Sequence, residues 1–372
     1  MIFILREGVY SMDMRVKIGE RIELENPLMP ASGPLVGDAK KIKRLSEMGL
    51  GALVTKTVSV KAAEVPHPCI VGGKDYIVNA ELWSEHPPEL WEREFLPEIA
   101  ALKRPTIISL GYRQEEIVSL IKRVDGFATA FELSTHYVGK DLTPIAKTVS
   151  AASDATDKPV FIKLSPHIEN AAEFAQMVKD NGGYGLVAIN SVGPTFPVDL
   201  IRERSPLGSK DGFGWISGPV IKHIALSKIK QVTEAVDIPV IGVGGIRSAK
   251  DVLEFIAAGA SAVQMLSSAM LYGKDLYAKI LKDLPREMEK IGCRSLTDLK
   301  GRALHKNDHV RFNAGFPQID DEKCTRCNLC VRNCPYDALS KVENRIIVDK
   351  ELCFRCGLCE SRCPAGAITG VL

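Results

Sequence analysis

The chain has 372 residues, 45% of them apolar and 25% charged, and its 48 basic and 46 acidic side chains leave a formal charge of +2. That balance excludes the basic surface of a nucleic-acid binder and the charge of an acidic tail, and no run of about 18 apolar residues is present to span a membrane. Neither nucleic acid nor membrane is therefore expected as a partner, and the length suits one large domain and one small one.

Taken in order, the opening Met1–Gly8 is too short for a signal-peptide core and lacks a small-residue cleavage site, while the residues after Met14 read as an edge hairpin. From residue 26 onward, short apolar runs alternate with amphipathic stretches. The expected strands are Pro27–Ser32, Ala52–Thr57, Thr106–Gly111, Ala128–Ser134, Val160–Leu164, Leu186–Ser191, Val240–Gly244 and Ala262–Ser267. Helices are expected between them at Ala39–Met48, Gln114–Val124, Ala171–Asn181, Lys222–Ala235 and Ala249–Ala258. Eight βα units over about 260 residues are what a closed (β/α)8 TIM barrel requires. A dinucleotide-binding sheet would carry G-x-G-x-x-G after its first strand. Here the glycines follow the seventh, as Gly242–Arg247, and Arg247 stands where the third glycine would be. Two connections break the rhythm, Val58 to Arg104 and Gly193 to Val220. Both fall on the C-terminal face, where barrel enzymes keep their sites.

The last fifth of the chain contains C-T-R-C-N-L-C-V-R-N-C-P from Cys324 and C-F-R-C-G-L-C-E-S-R-C-P from Cys353. Each is C-x2-C-x2-C-x3-C-P, the spacing with which bacterial-type ferredoxins hold two [4Fe–4S] clusters, the fourth cysteine crossing to the other cluster. The expected ligand sets are Cys324, Cys327, Cys330 and Cys363 for one cluster, and Cys353, Cys356, Cys359 and Cys334 for the other. Zinc has no use for such a duplication. Cys69 and Cys293 are the two cysteines left over. This usage fits a reducing cytosol, so a cytoplasmic protein is expected. The expected domains are a barrel over 1–301, a linker over 302–317 and a small α+β ferredoxin-like domain over 318–372.

Barrels commonly dock a phosphate between the loops after strands seven and eight. Gly244-Gly245 and Ser267-Ser268 end those strands here, offering backbone N–H groups and hydroxyls. A barrel-bound phosphate together with iron–sulfur clusters in one chain points to FMN, because a flavin converts between one-electron and two-electron chemistry.

Several motifs add a resemblance. They are N-P-L-M-P-A-S-G (Asn26–Gly33), V-T-K-T (Val54–Thr57), I-V-N-A (Ile77–Ala80), F-I-K-L-S-P (Phe161–Pro166), I-N-S-V-G (Ile189–Gly193), K-D-G-F-G-W-I-S-G (Lys210–Gly218), G-V-G-G-I (Gly242–Ile246) and C-R-S-L-T-D-L-K-G (Cys293–Gly301). On these, residues 26 to 304 resemble the FMN-dependent dihydroorotate dehydrogenases. With residues 318 to 372, the layout is similar to the C-terminal part of dihydropyrimidine dehydrogenases. The resemblance implies Ala31, Ser32 and Gly33 beside the flavin ring, with Thr57 next to them and Lys56 and Lys163 near its polar edge. It implies Asn190 and Ser191 at substrate or ribityl, and Ser217, Gly218, Gly244, Gly245, Ser267 and Ser268 at the phosphate. Asn79 and Ser134 would face substrate. Arg202 and Arg204, in the long loop after strand six, offer a bidentate clamp for a carboxylate or phosphate.

The departure from the family comes at strand four. These dehydrogenases read E-L-N-x-S-C-P-N or close to it, with an Asn on the pyrimidine and a Cys or Ser moving the proton. This chain reads E-L-S-T-H-Y-V-G-K over Glu132–Lys140. Ser134 replaces the Asn, Tyr137 stands where the Cys would be, and His136 beside it titrates near neutrality. Tyr137 and His136 are thus the candidate acid/base residues. The leading expectation is oxidation or reduction of a C=C/CH–CH bond in a small carbonyl-conjugated substrate other than a pyrimidine, with an anionic one in view. The alternatives are dihydroorotate or dihydropyrimidine chemistry, and an FMN/iron–sulfur electron-transfer subunit of a larger complex. With no FAD or NAD(P) module in the chain, a separate redox partner is expected, either a ferredoxin or an FAD/NAD(P)H subunit. The resemblance also implies a homodimer.

Overall fold

The computed structural model describes residues 12–111, 113–134, 141–304 and 314–372. They fall into two units, one up to residue 304 and one from residue 314 onward. The first begins with a hairpin of β1 (Val16–Ile18) and β2 (Ile22–Leu24), as expected after Met14. Val16, Ile18, Ile22 and Leu24 are buried while Lys17 and Glu23 are exposed, the alternation that a strand's period of two imposes.

The strands that follow are β3 (Leu28–Pro30), β4 (Leu53–Val54), β5 (Ile70–Gly72), β6 (Ile77–Asn79), β7 (Thr106–Leu110), β8 (Ala130–Leu133), β9 (Val160–Leu164), β10 (Gly185–Ala188), β11 (Val192–Thr195), β12 (Gly214–Ser217), β13 (Val240–Val243) and β14 (Ala262–Met265). Eight of them form one parallel sheet in the order β3-β14-β13-β10-β9-β8-β7-β4. Its two ends approach each other where the Gly51 N–H, just ahead of β4, donates to the Leu28 carbonyl of β3 at 2.9 Å. A Cβ at Gly51 would lie 2.1 Å from the Asn26 carbonyl oxygen, so a side chain there would force the strands apart. The result is a nearly closed (β/α)8 barrel; seven of its eight strands fall within an expected stretch, and β10 begins at Gly185, one residue before the expected Leu186. Strands buried on both faces read as continuous apolar runs, which is why they were legible.

All five expected helices are present, at Ala39–Ser46, Gln114–Val124, Ala171–Asp180, Lys222–Ala235 and Ala249–Ala257. Three start on side-chain caps: Asp38, Asn170 and Ser248 each accept from the backbone N–H three residues on. Among the described residues no helix is long and apolar enough to cross a membrane.

The two long connections are not plain loops. They contribute β5, β6, β11 and β12 to a second, antiparallel sheet in the order β11-β12-β6-β5. These strands are three or four residues long and partly exposed, so they carry too little apolar signal to read from sequence.

The second unit holds β15 (Gln318–Ile319), β16 (Leu339–Val342), β17 (Arg345–Val348) and β18 (Ile368–Thr369). β15 pairs with β18 and β16 with β17, and the short helices Leu329–Arg332 and Leu358–Ser361 complete an α+β ferredoxin-like fold.

Candidate active site

A cleft with about 1090 Å³ of empty space, part of it open to solvent, lies at the C-terminal ends of the barrel strands. Ala31, Ser32 and Gly33 enter it after β3, Lys56 and Thr57 after β4, and Glu132 and Ser134 from the end of β8. Lys163 comes from β9, Asn190 and Ser191 follow β10, Gly244 and Gly245 follow β13, and Gln264, Ser267 and Ser268 come from β14 and beyond. The second sheet supplies a wall through Ile70, Ile77, Asn79, Ser217 and Gly218. Every residue expected beside a flavin thus lines one cleft, together with Asn79 and Ser134.

Two ion clusters, each built on a lysine with a buried side chain, set its electrostatics. Lys56, 2% exposed, donates to Glu81 Oε1 at 2.7 Å and to Glu85 Oε1 and Oε2, both at 2.8 Å. Burial pushes the Glu81 carboxyl above its usual range, against the pull of Lys56. Burial also acts on Glu85, but the Lys56 hydrogen bond, a backbone hydrogen bond and the charges of Lys56 and Lys41 together outweigh it and hold that carboxyl low. Deeper in the barrel, Glu132 is fully buried and accepts from Lys163 Nζ at 2.9 Å and from Gln264 Nε2 at 2.8 Å. Gln264 Oε1 is buried with no hydrogen-bond partner among the described residues. A buried acceptor of this kind calls for a donor from a bound molecule. A hydroxyl chain, Ser32 to Thr57 to Ser109, links β3, β4 and β7 with steps of 2.9 Å.

The far end of the cleft is a turn of glycines and serines. Gly245 has φ +88°, and a Cβ there would lie 2.7 Å from the backbone of Lys222, so glycine is required. Ser217 and Ser267 hydroxyls stand 2.8 Å apart. Behind the turn, Asp251 accepts from Lys222 Nζ at 2.7 Å, from the Arg247 N–H at 2.9 Å and from Ser248 Oγ at 2.9 Å. Burial would raise the Asp251 carboxyl, but these donors prevail and hold it low. Its stabilising contribution is therefore complete above the unfolded value of about 3.9 and is lost as pH falls through the lower folded value. Asp251→Asn should cost about 1–3 kcal/mol at neutral pH, with the gap to wild type closing in acid, as read from urea midpoints at several pH values.

In the second unit, Cys324, Cys327, Cys330 and Cys363 line one cavity, and Cys334, Cys353, Cys356 and Cys359 line another. The grouping follows the crossed pattern of the spacing argument. The duplicated loops share backbone geometry: Arg326 and Arg355 both have φ 58°, and Asn328 and Gly357 have φ 61° and 79°. Such left-handed residues turn successive N–H groups inward, a concavity suited to an anionic cluster. The Leu329 N–H holds the Cys327 thiol below its ordinary range, whereas burial raises Cys330 and Cys359. Among the described residues no three His, Cys, Asp or Glu side chains converge on one metal position. A four-iron cluster instead takes its thiolates around its periphery.

Arg202 and Arg204 are not among the residues lining the cleft. Arg202 is 64% exposed and pairs with Asp199, three residues earlier, and the Arg204 backbone also bonds to Asp199. Asp199 thus ties Arg202 and the Arg204 backbone to their own loop. His136 and Tyr137 lie outside the described residues. Sequence reasoning missed Glu81, Glu85, Glu132 and Gln264. Glu132 sits in the quoted E-L-S motif, and a carboxylate inside an apolar strand was the available signal.

The family model described as dihydroorotate dehydrogenase matches residues 15–288, and one described as a 4Fe-4S dicluster domain matches residues 312–367. Among relatives, the dihydroorotate dehydrogenase B (NAD(+)) catalytic subunit of Methanothermobacter thermautotrophicus is 32% identical over 294 residues, 76% of this chain and 96% of that one. The corresponding subunit of Pyrococcus horikoshii is 32% identical over 76% of this chain and 95% of its own. That of Pelobacter propionicus is 33% identical over 78% and 98%.

Proposed function

This chain belongs to the dihydroorotate dehydrogenase family, whose members bind FMN and oxidise or reduce CH–CH groups, and on that premise we propose a specific reaction. The substrate is a small molecule with a C=C/CH–CH bond conjugated to a carbonyl, and electrons pass between it and two [4Fe–4S] clusters by way of FMN. The observation that carries this reading is the single cleft at the strand ends, with a glycine–serine turn at one end and the unpartnered acceptor of Gln264 inside.

FMN, when bound, supplies the exchange between hydride and single-electron transfer. The chain's residues fit it. Ser217, Gly218, Gly244, Gly245, Ser267 and Ser268 hold the phosphate, and Ala31, Ser32, Gly33 and Thr57 pack beside the ring. Lys163, fixed by Glu132, provides buried positive charge, and Gln264 Oε1 accepts a hydrogen bond. Asn79, Ser134, Asn190 and Ser191 orient the substrate, and His136 or Tyr137 moves the proton. The clusters are held by Cys324, Cys327, Cys330 and Cys363, and by Cys353, Cys356, Cys359 and Cys334. The barrel domain spans 1–301, the linker 302–317 and the ferredoxin domain 318–372. A separate ferredoxin or FAD/NAD(P)H subunit exchanges electrons with this cytoplasmic protein, which works as a homodimer.

A second reading is dihydroorotate or dihydropyrimidine oxidation, and the relatives' names favour the dihydroorotate form of it. To test the reaction class, the protein is reduced anaerobically and mixed with carbonyl-conjugated alkenes, pyrimidines included, while flavin absorbance is followed. Reoxidation by one of these compounds is expected. Reoxidation by a ferredoxin alone would instead make the chain an electron-transfer subunit.

A further inference from the structure

The cleft carries its own answer to what charge a substrate has. An ammonium group has three N–H donors. Lys56 Nζ makes three contacts, all to carboxylate oxygens: one to Glu81 at 2.7 Å and two to Glu85 at 2.8 Å. The other lysine lining the cleft, Lys163, is paired with Glu132 at 2.9 Å. Among the described residues that line the cleft, no cation is left without a carboxylate. The loop that brings in Glu81 and Glu85 is pinned. Ser84 between them is fully buried, its N–H donates to the Thr57 carbonyl at 2.9 Å, and its Oγ accepts from Trp91 Nε1 at 2.8 Å.

We propose that Glu81 and Glu85 are specificity-determining residues which neutralise Lys56 from within the protein, so that the cleft takes an uncharged substrate and rejects a carboxylate. The inference rests on the flavin reading above. An incoming carboxylate would have to displace the buried Lys56–Glu81 pair and meet the like charge of Glu81, which lines the cleft, whereas an uncharged carbonyl compound can use Asn79, Ser134 and Asn190 at no such cost. The anionic substrate in view from the sequence, and dihydroorotate with it, are disfavoured. A dihydropyrimidine without a carboxylate remains compatible.

The test uses sulfite, a small anion that bonds to flavin through its sulfur lone pair with no leaving group and bleaches the visible absorbance. The purified holoprotein is first assayed for FMN. Its absence would contradict the flavin reading itself, separately from this inference. With FMN present, sulfite is titrated into wild type, Glu81→Gln/Glu85→Gln, and the same double variant carrying Lys56→Gln. Freeing Lys56 should tighten sulfite binding on the order of tenfold, and removing Lys56 should abolish the gain. Glu85→Gln alone, at the more exposed carboxylate, should give a smaller gain of the same sign and serves if the double variant does not fold. Equal sulfite affinity in wild type and variants, or tighter binding by wild type, would overturn the proposal.

Discussion

Cys334→Ala and Cys353→Ala are each expected to lower iron content by about 4 atoms per chain, and the double variant should lose no more than either single. Cys334→Ala combined with Cys324→Ala should instead lose about 8. The expectation is counter to sequence order, since Cys334 belongs to the first motif and Cys353 to the second. It follows from the helix Leu329–Arg332, which contains Cys330 and ends two residues before Cys334, and from the cavity that Cys334 shares with Cys353, Cys356 and Cys359. Iron assay on anaerobically purified variants decides it. A loss of about 8 from Cys334→Ala/Cys353→Ala would mean that the motifs hold their clusters without crossing.

The second large effect is expected at Lys163. Glu132 is fully buried, so Lys163→Met leaves a carboxylate inside the barrel with Gln264 Nε2 as its remaining donor among the described residues. Breaking such a pair typically costs about 3–5 kcal/mol, to be read from urea unfolding. Replacing both partners, as Glu132→Gln/Lys163→Met, should recover most of that loss because no unpaired charge remains. Reduction of the flavin should nevertheless stay about 100-fold slower or worse in the double variant, since a preorganised charge has gone from the site. Stability and rate are thereby separated. Recovery of both together would assign the pair to packing alone.

The eight barrel strands were legible because strands buried on both faces leave unbroken apolar runs, and the grouping of eight cysteines around two cavities because their spacing is itself the geometry of the loop. The glycine–serine turn was legible for a related reason: Gly245 occupies a conformation and a space that no side chain fits. What escaped the sequence is long-range. Glu81 and Glu85 read as ordinary polar loop residues, and nothing local says that the loop folds back onto Lys56 some 25 and 29 positions earlier. Arg202 shows the converse. Two arginines in a long loop suggest a clamp, but Asp199 lies within reach of Arg202 and satisfies it locally. Charge in a cleft is decided by which partners the fold brings, and the sequence lists the charges without the pairings.

The most direct test of the electron path is an anaerobic reductive titration of the purified protein, followed at flavin and cluster wavelengths. With FMN taking two electrons and each [4Fe–4S] cluster one, about 4 electrons per chain should be accepted, and flavin and cluster signals should both bleach. Uptake of about 2 electrons confined to the flavin, or uptake with no flavin signal at all, would contradict the path from clusters to FMN to substrate.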